Sequence, residues 1–434
     1  MLDYTLDRDK SKVWIINQYA ITPDLPGGTR HYDLGCELVK RGYVVRIFAS
    51  DVNLALRRHT RLDGSELFCD EEVNGVIFTW VSAAEYQQND WRRVLNMLTF
   101  TANVFRVGLR CGERPIAIIG SSPHPFAALA AWFLCKRKRS RFILELRDLW
   151  PQALIDMGGM REGSLVVRCL RLLETFLYKV ADTIIILATG SRKYLLERGV
   201  CFDKIAYIPN GVHLANFCLP DLPSDLDNHL SKSAHCETVA DYAISEIRRE
   251  FGFERFTVVY TGAHGPANAL GTVLRAADIL RDRVKIDFVL VGDGPSKGCL
   301  IREAKRLHLN NLRFMDPIPK GQIPRLLAAA DATLISLRAV EAFSYGVSPN
   351  KLFDYMAAAK PVICAIPGNM AQLVQDNGAG LAVEPENPQA LADAVITAVK
   401  MTDYDRATMG QSGRRLVEKE FARERLALRL ISIL

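Results

Sequence analysis

"FTVVYTGAHGPANALG", Phe256 to Gly271, holds the fold in miniature. Phe256–Thr261 is a β-branched and aromatic run with the length of a buried strand. It stops at Gly262, His264 and Gly265, and a helix-length stretch follows from Ala267 to Arg281. Strand, glycine turn and helix make half of a βαβ unit, and the same beat recurs on both sides. Downstream the strands read as Ile286–Val291, Leu312–Phe314, Ala332–Leu337 and Pro361–Ala365, with helices at Lys297–Leu307 and Ile323–Ala330. Upstream they read as Val13–Asn17, Val44–Ser50, Ile116–Ser121, Phe142–Arg147 and Thr183–Ala188. Helix-length segments such as His31–Arg41 and Pro125–Lys136 lie between them. The polar stretch Asp221–Glu250 breaks the rhythm and reads as a linker with an inserted helix. The chain is therefore expected to be α/β with parallel sheets, in two halves each large enough to fold alone.

The 434 residues exceed what one hydrophobic core normally holds, so two domains are the default. Apolar residues make up 49% and charged residues 24%, an ordinary globular balance. A net charge of +6 permits an anionic partner without demanding one, and no basic tract interleaved with aromatics suggests nucleic acid. The ten cysteines are scattered singly, with no CxxC pair and no Cys/His cluster at zinc spacing, which reads as buried thiols of a reducing compartment. The start "MLDYTLDRDKSK" is charged and lacks the apolar core of a signal peptide. No apolar run approaches the ~20 residues of a spanning helix. A cytoplasmic protein, with peripheral membrane contact allowed, is the expectation.

Open α/β sheets bind ligands beyond the carboxyl ends of their strands, so the segments just after strands matter most. After the first strand, Gly27 and Gly28 precede a helix; they let backbone approach a ligand, or form a plain turn. Gly262, His264 and Gly265 occupy one turn of the second half, and Gly292, Asp293 and Gly294 occupy the next. None of these is GxGxxG, so a dinucleotide fingerprint is not met. "SPNKLFDYMAAAKPVI", Ser348 to Ile363, reads as a helix start with Ser348 as N-cap and Pro349 first in the helix. It places Lys351 in the first turn, where the helix dipole disfavours a cation unless an anion joins it. Asp354 follows one turn on and could take the two hydroxyls of a ribose; the alternative is a solvated Lys351–Asp354 pair.

In order along the chain, "GGTRHYDLGCELVKRGYVVRIFAS", "SSPHPFAALAA", "LELRDLWPQALIDMG", "VLVGDGPSKGCLIREA" and "PNKLFDYMAAAKPVI" resemble the GT-B glycosyltransferases of retaining family 4, and more closely their L-fucosamine-transferase branch. The resemblance implies two Rossmann-like domains, with residues 1–215 on the acceptor side, a linker at 216–255, and a nucleotide-sugar domain at 256–414. A C-terminal helix within 415–434 would return to the first domain. It implies a nucleotide-diphosphate sugar held by Asn350, Lys351, Asp354, Arg338 and the glycine turns, with Gly27 and Gly28 touching the diphosphate. Asp354 stands where the family usually has glutamate. The usual upstream glutamate falls on Gly346, which leaves that role unfilled or passed to Glu341 or a backbone N–H. The Lys-Gly of many members is Leu270-Gly271, and His213 stands where aspartate is usual. His124 would face the transferred sugar, and Asp148 would position an acceptor hydroxyl or pair with Arg147.

Members of the family retain anomeric configuration by front-face attack, in which the leaving phosphate takes the acceptor proton. This needs no protein nucleophile but does need cations and N–H groups at the diphosphate. Lys351, His124 and Asp148 are the expected catalytic residues. No cofactor or metal is implied, and the Asp-x-Asp strings Asp7–Asp9 and Asp225–Asp227 read as chance. The donor is expected to be UDP-linked and the acceptor a saccharide, with a polyprenyl-diphosphate anchor in view. "AAWFLCKRKRSR" (Ala130–Arg141) and "WRRVLNMLTFTANVFRVGLR" (Trp91–Arg110) suit an anionic bilayer, or are a core-facing helix with a solvated basic end. The rival readings are a non-catalytic nucleotide-sugar-binding module and a GT-B epimerase.

Overall fold

The computed structural model describes residues 11–63, 66–88, 90–122, 124–156, 158–217, 236–283 and 285–434. The Asp-x-Asp strings and the 221–235 part of the polar stretch lie outside the described residues; Cys236–Phe251 is a helix. Two compact units divide the chain, Met1–Asn210 with Arg423–Leu434, and Gly211–Ala422. No helix of the described residues is long and apolar enough to cross a membrane.

The first unit holds β1 (Lys12–Ile16), β2 (Val44–Ser50), β3 (Phe68–Val73), β4 (Val76–Val81), β5 (Ala117–Ser122), β6 (Arg141–Leu146), β7 (Thr183–Ile186) and β8 (Ile205–Tyr207). Their order across the sheet is β3-β4-β2-β1-β5-β6-β7-β8. Val13 pairs with both Val45 and Ala117, and all ladders are parallel except β3 with β4. That exception is a hairpin closed by Asn74 and Gly75, both at positive φ (51° and 79°), the conformations a two-residue turn requires. The strands expected from the sequence all lie in the parallel part of the sheet, and the hairpin adds β3 antiparallel at its edge. Alternate residues of the strands feed two faces. Val13, Ile15, Ala117 and Ile119 meet Tyr32, Leu34 and Leu38 of the Arg30–Val39 helix, with Leu426 and Leu430 of the Arg423–Ile431 helix. On the other face Gly120 admits the Pro125–Lys138 helix so closely that a Cβ there would meet Ala131 Cβ at 2.8 Å.

The second unit contains β9 (Phe256–Thr261), β10 (Ile286–Val291), β11 (Leu312–Met315), β12 (Ala332–Ser336), β13 (Val362–Ala365) and β14 (Gly380–Ala382). They run parallel in the order β11-β10-β9-β12-β13-β14. Helices cover both faces, with Leu352, Phe353 and Met356 in one core cluster and Leu270, Val273 and Leu274 in the other. Each sheet therefore has a point where strand order reverses, between β1 and β5 in the first and between β9 and β12 in the second. Both are doubly wound open sheets, and their crevices lie at those points.

Candidate active site

In the second unit the switch point is built from backbone. The turn after β9 and the turn after β10 interlock: Gly262 N–H donates to Val291 O (2.9 Å), His264 N–H to Asp293 O (2.8 Å), and Ser296 N–H to His264 O (2.9 Å). A Cβ on Gly292 (φ +142°) would lie 2.0 Å from Gly262 O, and one on Gly294 would lie 2.7 Å from His264 O. These positions need glycine because two backbones touch. Across the switch point, Arg338 N–H donates to Ala267 O (3.0 Å), tying the loop after β12 to the loop after β9. The Arg338 guanidinium makes no hydrogen bond or ion pair with the described residues.

The helix beginning "NKLFDYMA" starts at Asn350, one residue later than expected, and Pro349 is extended (φ −74°, ψ 125°) at its cap. The N-cap is Pro349, whose side chain makes no capping hydrogen bond, and not the Ser348 the sequence suggested. Tyr355, fully buried, pins this helix to the end of β9 by accepting from Thr261 N–H (2.8 Å). One turn earlier, Lys351 reaches the glycine turn. Its Nζ donates to Tyr260 Oη (2.7 Å) and Asn268 Oδ1 (3.3 Å) and sits 4.0 Å from the Tyr260 ring centroid. The same tyrosine hydroxyl donates to Ala263 O (2.7 Å), so one side chain fixes the lysine and the turn together. A Cβ on Gly262 would come within 2.9 Å of Nζ. Among the described residues no carboxylate pairs with Lys351, and the Lys351–Asp354 ion pair does not form. Burial without a counter-charge lowers the Lys351 pKa to about 7. Asp354 is partly exposed one turn on, and Asn350 and Asp293 are exposed.

His264 is fully buried between Tyr260 and Phe314, at ring distances of 6.0 and 5.9 Å, and neither ring nitrogen has a partner. Burial lowers its pKa to about 4, so it is neutral near pH 7. Gly265 then leads into a short turn ending at Asn268. Lys297, three residues after Gly294, bonds Gly292 O (2.8 Å) and Asp316 (2.7 Å) and braces the second turn from below. Tyr260, Asn268, Tyr355 and Lys297 were not singled out in the sequence. Tyr260 and Asn268 lay inside the quoted turn, but their link to Lys351 spans more than 80 residues.

In the first unit the switch point lies between the ends of β1 and β5. Gln18 and His124 bond side chain to side chain there, and Gln18 Nε2 donates to Asn96 Oδ1 (2.5 Å). His124 caps its helix by accepting from Ala127 N–H, and it is fully buried. Burial, then the charge of Arg93, lowers its pKa to about 3. It is therefore a neutral hydrogen-bonding group at this site. Gly27 (φ +143°) and Gly28 are exposed in the loop before the Arg30–Val39 helix, and a Cβ on Gly27 would meet Ile21 at 2.9 Å. Asp148 is exposed just beyond β6 and makes no ion pair with Arg147. Beneath these loops lies a buried network absent from the sequence reading. Glu145 takes Arg30 Nε (2.9 Å), His31 Nε2 (2.6 Å) and Ser121 Oγ (2.6 Å), and Arg30 also donates to Ile208 O (2.7 Å). Arg30 and His31 beside Glu145 hold its carboxyl well below the usual range despite burial.

Residues 27–211 match the family described as glycosyl transferase 4-like domain, and residues 255–401 match glycosyl transferases group 1; together they span well over half the chain. WcaI of Escherichia coli, which carries the name of a colanic acid biosynthesis glycosyl transferase, is 23% identical over 346 residues, covering 78% of this chain and 80% of that protein. Among solved structures, sucrose-phosphate synthase of Thermosynechococcus elongatus superposes with a TM-score of 0.74 at 16% identity, over 98% of each chain. Anabaena HepE, solved in complex with UDP-glucose, gives 0.68 at 17% identity over 98% of this chain and 100% of that one. The chain belongs to the group 1, family 4 glycosyltransferases of GT-B fold.

Proposed function

We propose that this enzyme is a retaining glycosyltransferase of the L-fucosamine-transferase type, moving an N-acetylamino or deoxyamino sugar from a UDP-linked donor to a saccharide acceptor in cell-surface polysaccharide synthesis. The observation that carries the reading is Lys351: a largely desolvated ammonium with no carboxylate partner, held by Tyr260 and Asn268 against the backbone turn at the exposed Gly262. Such a cation is a poor structural element and a ready-made seat for an anion. The names of the relatives support the rest: colanic acid biosynthesis for WcaI, and UDP-glucose in the HepE complex.

On this reading Lys351 and the free guanidinium of Arg338 meet the diphosphate of the donor. The turns carrying Gly262, His264, Gly265, Gly292, Asp293 and Gly294 leave room for it. Asp354 takes the ribose hydroxyls and Asn350 opens the helix end toward the phosphates. As the sugar–phosphate bond breaks, charge grows on the diphosphate, and a fixed cation and N–H groups there lower the barrier without rearranging. The departing phosphate oxygen accepts the proton of the incoming acceptor hydroxyl on the same face. His124, neutral and clamped by Gln18, contributes a hydrogen bond rather than a proton, while Asp148 orients the acceptor and Gly27 and Gly28 offer N–H groups.

The test is a thermal-shift panel of UDP, GDP, ADP, dTDP and their sugars, because a ligand that binds only the folded state raises its midpoint. UDP or a UDP-N-acetylamino sugar should stabilise most, and Lys351→Ala and Asp354→Ala should each remove most of that shift. A shift left unchanged from the wild type in both variants would remove the donor from this helix. Donor binding without turnover on any acceptor, or by hydrolysis, would leave a binding module instead.

A further inference from the structure

The Trp91–Arg110 helix has two apolar faces. Met97, Phe100, Val104 and Val107 are buried, as an amphipathic helix on a sheet requires. A second stripe, Trp91, Val94, Leu95 and Leu98, repeats at the same helical spacing and stands in solvent, with Trp91 at 67% exposure. The helix lies close against Pro125–Lys138, where a Cβ on Gly108 would touch Leu134 at 2.7 Å. That helix packs in turn on Leu165–Val180. An aromatic seam crosses all three: Phe105 to Phe133 (5.8 Å), Phe133 to Trp132 (4.7 Å), Trp132 to Phe176 (4.8 Å). Phe133 is exposed at the centre of the seam, and Leu165 and Leu172 stand out from the third helix at 76% and 72% exposure.

The charge on this face is mainly of one sign, with Asp90 at the start of the first helix and Glu162 ahead of the third as its exposed carboxylates among the described residues. Neither of the first two helices contains Asp or Glu. Exposed Arg92, Arg106, Arg110, Lys136, Arg137 and Arg139 border the apolar stripe, and none pairs with a carboxylate among the described residues. Unpaired cations around exposed tryptophan, leucine and phenylalanine are an unfavourable surface for a protein in bulk water, and a matched one for a bilayer. There the apolar side chains enter the acyl boundary while arginine and lysine stay at anionic headgroups. A protein partner or second copy would need acidic residues to answer six cations, and this face offers its own image only Asp90 and Glu162, the latter already beside Arg171. We propose that the outer face of these three helices is a docking surface for an anionic lipid bilayer, independently of which donor the enzyme uses.

Cosedimentation of the full chain with vesicles tests this. Phosphatidylcholine vesicles should bind little, while phosphatidylcholine mixed with phosphatidylglycerol should bind at least about tenfold better and lose most of that gain at high salt. Two variants should each lower binding about tenfold with an unchanged melting midpoint: Trp91→Ser with Leu95→Gln and Leu98→Gln, and Lys136→Glu with Arg137→Glu. Binding that ignores phosphatidylglycerol, or that survives both variants, overturns the proposal. So does a concentration-dependent dimer that the triple variant dissolves while vesicles bind nothing, which would make this face an interface between copies.

Discussion

The ammonium of Lys351 is charged at a cost in the ligand-free protein, because burial without a counter-ion brings its pKa down to about 7. A diphosphate beside it supplies the missing charge and favours the protonated form, so donor binding should take up a proton near neutrality. The sign follows from the lowered value. Below about pH 7 the lysine is already charged and affinity is flat; above it, an increasing share of the protein must first be protonated, and affinity falls. The diphosphate of a nucleotide sugar keeps constant charge over this range, so the slope belongs to the protein. Between pH 6 and 8.5, donor Kd measured by calorimetry should weaken by roughly tenfold or more, each pH unit above the pKa being worth up to about 1.4 kcal/mol. Lys351→Arg, whose guanidinium stays charged, should flatten the profile even if its fork fits the turn less well. A wild-type profile that is already flat would mean that another group carries the diphosphate. The candidate lysine was legible because a cation in the first turn of a helix is out of place. Its holders were not, because Tyr260 and Asn268 meet it only after the sheet has formed.

At the scale of elements, the site depends on two turns whose backbones touch. Gly292→Ala would put a methyl 2.0 Å from Gly262 O at a φ of +142°, so one strand end must withdraw. That should cost about 2 kcal/mol or more in stability and should displace Gly262 from under Lys351. The expected outcome is a lowered melting midpoint together with at least a tenfold loss of donor affinity. Gly298→Ala is the comparison: that residue is exposed in a helix, and its Cβ would meet only the far end of Arg302 at 3.7 Å, so both quantities should hold. Parity between the two variants would remove the turn from the argument. The strand–turn–helix beat was readable here because fully buried parallel strands are short β-branched runs ended by glycine. The β3–β4 hairpin escaped, although Asn74-Gly75 is a strong local turn signal, because β3 is half-exposed and charged and lacks the apolar run of its neighbours. The Glu145 network escaped for a different reason. Glu145 and its partners, Arg30, His31 and Ser121, come from three elements that only the sheet order brings together.

For the whole molecule, the last helix has the largest consequence for its length. Arg423–Ile431 belongs to the first unit by its packing, though more than 200 residues of the second unit separate it from the rest of that unit in sequence. Leu426 and Leu430 are 0% and 2% exposed and pack among Ile15, Leu34, Leu38 and the ends of β1, β5 and β7. Leu428, between them, is 54% exposed. Removing a buried leucine side chain costs about 2–5 kcal/mol, since lost transfer free energy and the cavity add. A kilocalorie moves the midpoint of a unit this size by about 2–4 °C. Leu426→Ala with Leu430→Ala should therefore lower the first unit's transition by about 10 °C or more, while Leu428→Ala leaves it within error. The second unit keeps its own two core clusters, so its transition should stay in place and should still rise when the nucleotide sugar is added. Calorimetry with and without donor separates the two. Both transitions falling together in the double variant would show that the units unfold as one cooperative body, and an unmoved first transition would show that the helix is an appendage rather than part of that core.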